Sequence, residues 1–165
     1  MLALFEAARW APSAYNSQPW RFLYARRDNA HWERFLGLLG PFNQSWANRA
    51  AALVVLVSDP SFQPPGADQP VISRSASVDA GAAWGSLALQ AARSGWAAHG
   101  MSGFDHDRAA VELNVPAGNR VEIAIAIGRP GDKAILPEGL QAREQPSGRK
   151  PVAAFAFEGG FAPAA

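Results

Sequence analysis

The run Leu53-Val54-Val55-Leu56-Val57 constrains this chain more than any other stretch. Consecutive apolar residues rich in β-branched valine favour a strand buried on both faces. A second strand pattern is the alternating VEIAIAI at 121–127, which runs into the turn Gly128-Arg129-Pro130. Around these two strands the sequence places helices. Leu2–Trp10 carries apolar residues at 2, 4, 5 and 8, and His31–Leu39 carries Trp32, Phe35, Leu36 and Leu39 at helical spacing. Ala47–Ala52 reads as a short helix entering the first strand. The helix expected over Val78–Arg93 has Ala80, Ala83, Trp84, Leu87 and Ala91 on one face, and Gly95 ends it. Ser77 is its candidate N-cap, with Asp79 in the first turn where the helix dipole favours an anion. The many small residues of that helix allow another backbone to come close.

Shorter patterns complete the reading. Trp20–Ala25 and Trp96–Met101 are expected strands, Ser102-Gly103 a turn, and Asp105–Leu113 a helix capped by Asp105. VAAFAF at 152–157 is expected to be extended, and the Pro-, Gly- and Ser-rich stretch 58–75 to be a long loop. Helices and strands are interleaved without strict β-α-β succession, which favours an α+β fold in one domain spanning 1–165.

Composition removes several function classes. The formal charge is +1, so no field selects nucleic acid or an acidic membrane. The absence of cysteine excludes disulfides, thiolate metal sites and a cysteine nucleophile. Ala50–Val57, the longest apolar run, is far short of the roughly 20 residues that cross a bilayer. The opening MLALFEAARW lacks a basic leader, so a cytoplasmic location is expected. Six Trp and nine Phe suit either an aromatic core or a large interface and a pocket for a flat ligand.

No GxSxG elbow, GxGxxG turn or Walker loop is present. His31, His99 and His106 are scattered, and Asp105-His106-Asp107 reads as a solvated helix start. Chemistry here therefore points to a bound cofactor. The segment APSAYNSQPW (11–20) is the candidate site: Asn16 and Gln18 are amides on a loop stiffened by Pro12 and Pro19, beside Tyr15 and Trp20. Turn formation alone also explains Ser13 and Asn16. Such amides suit the alternating carbonyls and N–H of a flavin edge.

EAARWAPSAYNSQPWRF resembles the A-P-S-x-x-N-x-Q-P-W segment of the nitroreductase family. NQSWANRAAALVVLV (43–57), SVDAGAAWGSLALQAARSGWAAHGMSGFD (77–105) and the Ile-Gly-Arg-Pro turn (127–130) agree with that family in order and spacing. The resemblance implies an α+β homodimer, its long helices packed together, with one FMN in each of two interfacial pockets. It implies flavin contacts from Ser13, Ala14 and Asn16 of one subunit, from Asn43 of the other, and from the Ser102-Gly103 backbone near the reactive ring nitrogen and its neighbouring carbonyl. Arg149 matches the late arginine that holds the FMN phosphate, with Lys150 beside it. Family members carry an Arg-rich segment, R-R-S-x-R, ahead of the first helix, and the given sequence starts downstream of that position, at Met1-Leu2. The implied activity is ping-pong transfer of hydride from NAD(P)H to a nitroaromatic, a quinone or a similar acceptor. A non-catalytic flavin binder and a ligand-free structural dimer of the same fold are the alternatives.

Overall fold

The computed structural model describes residues 1–136 and 138–161. Its centre is the apolar run: β2 (Ala52–Ser58) is buried at every position. The other strands are β1 (Trp20–Arg26), β3 (Ser61–Phe62), β4 (Val71–Ile72), β5 (Ala97–Met101) and β6 (Arg120–Gly128). The main sheet has the order β1-β2-β6-β5, with every neighbouring pair antiparallel. β2 lies between β1 and β6 with Trp20 opposite Ser58 and Val54 opposite Ile125. A register shift at Leu56/Val57 marks a bulge in the β2–β6 ladder.

Because side chains alternate along a strand, β2 supplies two cores at once. Leu53, Val55 and Val57 join Trp32, Phe35, Leu38, Phe104 and Ala109 on one face. Ala52, Val54 and Leu56 join Leu4, Ala8, Ala83, Leu87 and Ile125 on the other. The layers covering these faces follow. α2 (Trp32–Gly37), α3 (Pro41–Ala47) and α5 (His106–Glu112) contribute to the first core; α1 (Leu2–Arg9) and α4 (Ala76–Arg93) contribute to the second. Full burial of one such aliphatic side chain contributes about 1.5–3 kcal/mol.

α4 buries Ala80, Ala83, Leu87 and Ala91, the stripe expected from the spacing. Its opposite side leaves Val78 73% and Leu89 70% exposed, with Gly81 facing open space. The helix begins earlier than expected. Ser75 takes the N-cap position, and the Ser77 hydroxyl instead donates to Glu122 Oε1 at 2.6 Å. Asp105 caps α5 as expected, accepting from the Arg108 N–H at 2.9 Å.

Three further expectations fail. The helix expected over 47–52 is α3, which starts at Pro41 and stops at Ala47, because a proline at the first helical position suits a helix start. The loop 58–75 contains the hairpin β3–β4. Residues 152–157 form no strand: Val152–Ala154 is a 3-10 turn with exposed side chains. Alternating small apolar residues there meet no partner strand.

The chain divides into two compact units, Met1–Pro130 and a second from Gly131 onward. The second holds a 3-10 turn at Lys133–Ile135 and α6 (Glu138–Gln141). Among the described residues no helix is long and apolar enough to cross a membrane.

Candidate functional site

Of the polar positions singled out by the sequence, those in loop 11–19 and at Ser102-Gly103 fall at the two edges of the main sheet. The loop 11–19 leads into edge strand β1, and Ser102-Gly103 leaves edge strand β5.

At the β1 edge the loop is wound tightly. Tyr15, Asn16 and Gln18 have φ of 51°, 55° and 48°, although none is glycine. A non-glycine residue in this left-handed region costs on the order of 1–2 kcal/mol, so other contacts must hold the shape. The Ser13 hydroxyl accepts from the Gln18 N–H at 3.0 Å, and Gln18 Nε2 donates to the Asn16 carbonyl at 3.2 Å. Gln18 is thus spent on closing the loop. The Ala14 N–H donates to Asp79 Oδ2 at 3.1 Å, so Ala14 has no polar hydrogen left to offer. The Asn16 side-chain amide, by contrast, makes no hydrogen bond among the described residues, and the residue is exposed. Tyr15 lies beside it with its ring 5.8 Å from that of Phe62 on β3. Asn16 is a residue type that tolerates the left-handed region, but nothing in the sequence announces it at Tyr15 and Gln18.

At the β5 edge Asn43, in the first turns of α3, donates from Nδ2 to the Gly103 carbonyl at 2.9 Å. The Gly40 N–H donates to the same oxygen at 3.1 Å. The approach is close: a Cβ on Gly103 would lie 2.9 Å from Asn43 Nδ2, and one on Gly40 would lie 3.3 Å from the Gly103 oxygen. Asn43 and Gly103 are therefore brought together, a contact that the sequence reading did not anticipate. Among the described residues the Ser102 and Gly103 N–H groups donate to no loop or turn acceptor, and both residues are exposed. Two successive backbone donors beside an amide suit an anionic or carbonyl oxygen.

No hydrogen bond among the described residues joins loop 11–19 to Asn43, Ser102 or Gly103. Arg149 and Lys150 belong to the second unit. Arg149 Nη1 curls back onto the Ser147 carbonyl and hydroxyl at 2.9 and 2.6 Å, and Lys150 is exposed.

The remaining polar candidates have structural roles. His106 Nδ1 lies 3.1 Å from the Phe104 carbonyl, His99 meets the edge of Trp46, and His31 Nδ1 lies 3.3 Å from Arg34 Nη2. Among the described residues no three His, Asp or Glu side chains gather as a metal site. Asp79, which the sequence places only as a charge complementing a helix dipole, reaches the loop of residues 11–19 across 65 positions of chain.

The family model described as "Nitroreductase family" matches residues 1–129. The chain belongs to the nitroreductase family. A solved structure described as an oxidoreductase containing FMN is 46% identical, with a TM-score of 0.92 over 98% of this chain and 81% of its own. A nitroreductase family protein from Streptococcus pneumoniae TIGR4 is 22% identical, with a TM-score of 0.70 over 94% of this chain and 86% of its own, and shows the shared fold. An uncharacterized 15.4 kDa protein in the ask 5′ region of Mycolicibacterium smegmatis is 35% identical, over 84% of this chain and 95% of its own. The nitroreductase-like α+β architecture, with its antiparallel sheet flanked by helices, is common to this chain and the two solved relatives.

Proposed function

We propose that this nitroreductase-family protein is an FMN-dependent NAD(P)H oxidoreductase whose site is completed by a second copy of the chain. The observation that carries the reading is the split arrangement of uncommitted polar groups. The Asn16 amide stands at one edge of the sheet, and the Ser102 and Gly103 N–H groups stand at the other. A ring bound between two protomers meets both sets. The exposed, small-residue side of α4, with Val78, Gly81 and Leu89, supports packing against its twin.

The residues present fit FMN. Asn16 offers an amide donor and acceptor, and the Ser13 hydroxyl keeps its own hydrogen, so both suit the pyrimidine edge. Ala14 would contribute only close approach. From the other protomer Asn43 would face the ribityl or pyrimidine side, and the Ser102-Gly103 backbone the carbonyl edge of the ring. In this reading the segment from Gly131 onward belongs to the same functional domain. Arg149 and Lys150 would then supply charge-assisted bonds to the phosphate.

The chemistry FMN would supply is two-electron transfer between NAD(P)H and an electron-poor acceptor, such as a nitroaromatic or a quinone, in ping-pong order. The protein's part is to orient the two substrates in turn on one open face and to place backbone dipoles where negative charge develops. No acid or base side chain is required at that face.

Purified protein, as isolated or after addition of FMN, should show a flavin band near 450 nm (about that wavelength, a property of the cofactor). NADH or NADPH should bleach the band without oxygen, and a quinone should restore it. Absence of the band after addition of FMN sinks the proposal. A band that neither nucleotide bleaches favours a non-catalytic flavin binder instead.

A further inference from the structure

We infer that Asp79 is a positioning residue for the flavin loop: its buried carboxylate sets the backbone that carries Ser13 and Asn16. The inference rests on the flavin reading above. Asp79 is one of two buried polar or charged residues among those described, at 9% exposure. Burying a carboxylate is costly unless its oxygens are hydrogen-bonded. Here Oδ2 accepts from the Ala14 N–H at 3.1 Å and from the Ser75 hydroxyl at 3.0 Å. Ala14 sits between Ser13, which closes the loop through Gln18, and the left-handed pair Tyr15 and Asn16. A single charge-assisted bond thus reaches the loop where its backbone turns into the unfavourable region.

The carboxylate also links the loop to the chain beyond β2. The Ser75 hydroxyl lies 3.0 Å from that of Ser73, whose N–H donates to the Pro60 carbonyl at 2.8 Å. The connection between β2 and α4, which carries Phe62 against Tyr15, is therefore tied through two serines to the same carboxylate. Asp79 lies on α4, whose buried stripe locks it to the sheet, so the anchor is rigid. Loss of the carboxylate frees the Ala14 N–H, and the loop relaxes towards ordinary backbone angles, turning the Asn16 amide away.

The test uses full-length protein, wild type and the variants Asp79→Ala, Asp79→Asn and Leu87→Ala. Leu87 is fully buried on α4, forms no part of the loop and serves as a control for lost stability. Amide hydrogen exchange over residues 12–19 is measured without flavin. FMN affinity and the visible circular dichroism of the saturated flavin are measured by titration. Asp79→Ala should speed exchange across 12–19, weaken FMN about tenfold to a hundredfold, and change the dichroism at saturation. Asp79→Asn, which keeps an oxygen acceptor, should recover part of each effect. Leu87→Ala should lower the melting temperature and leave exchange at 12–19 and the FMN dissociation constant within about twofold. Unchanged loop exchange in Asp79→Ala overturns the inference whatever FMN does. Equal losses in Asp79→Ala and Leu87→Ala reduce Asp79 to a stability residue, which also overturns it. Wild-type protein that fails to bind FMN refutes the flavin reading itself, and the exchange data then report an anchor without a flavin to position.

Discussion

The two edges of the main sheet present polar groups by opposite means. At the β1 edge three residues other than glycine hold left-handed backbone, and the shape is kept by Ser13, Gln18 and a carboxylate on α4. At the β5 edge a glycine supplies closeness, and one side-chain amide bridges the gap. The first edge stores conformational energy that a distant anchor must offset; the second is set by how near two backbones can come. A flavin site made from both would be sensitive to backbone conformation on one side and to added volume on the other.

Adding volume gives the largest expected effect. Gly103→Ala puts a Cβ against Asn43 Nδ2, and the amide must swing away and lose the Gly103 carbonyl. The cost should be about 1–3 kcal/mol, read from the urea midpoint, with FMN affinity falling too. The same substitution made at Gly139 in α6, which faces open space, should be neutral or stabilising.

The β1 edge should respond to backbone freedom instead. Asn16→Ala and Asn16→Gly both delete the amide proposed to meet the flavin. Only alanine meets a steric cost at φ 55°, about 1–2 kcal/mol. Equal FMN losses with unequal stability would separate chemistry from strain, whereas equal stability would show that the left-handed loop relaxes without penalty.

The smallest effect is a pH dependence away from both edges. Hydrogen bonds from Arg9, then from Trp10, lower the Glu6 carboxyl from 4.5 to about 2. A depressed carboxylate stabilises the fold above its unfolded value, and that contribution is lost as pH falls from about 4.5 through about 2. Because Glu6 is exposed, its replacement by Gln should lower the melting temperature only slightly at neutral pH, and the difference should vanish as pH falls through about 2. A shift that persists undiminished at acid pH would contradict this assignment.

The strands β2 and β6 and the buried face of α4 were legible because their periodicity is local and nearly uninterrupted. Ser13, Asn16, Asn43, Ser102 and Gly103 were legible as motifs, whereas the pairing of Asn43 with Gly103 came only from the fold. Other features depended on partners that periodicity does not name. α3 began at Pro41 rather than continuing through Ala52, a hairpin occupied the long loop, and residues 152–157 alternated without a strand to join. Gln18 looked like an outward amide, yet it turns back to close its own loop.

Sequence alone determined the alternation that makes β2 the floor of two cores, since side-chain direction along a strand depends only on residue order. It also determined the family, through residue types at fixed spacings. Only the tertiary structure decided that Asp79 would share its carboxylate between Ser75 at its own helix start and the distant Ala14 N–H, and that Asn16 would stand uncommitted on left-handed backbone. A buried carboxylate takes whichever donors the packed chain brings within about 3 Å, and that proximity arises only when α4 lies across the sheet.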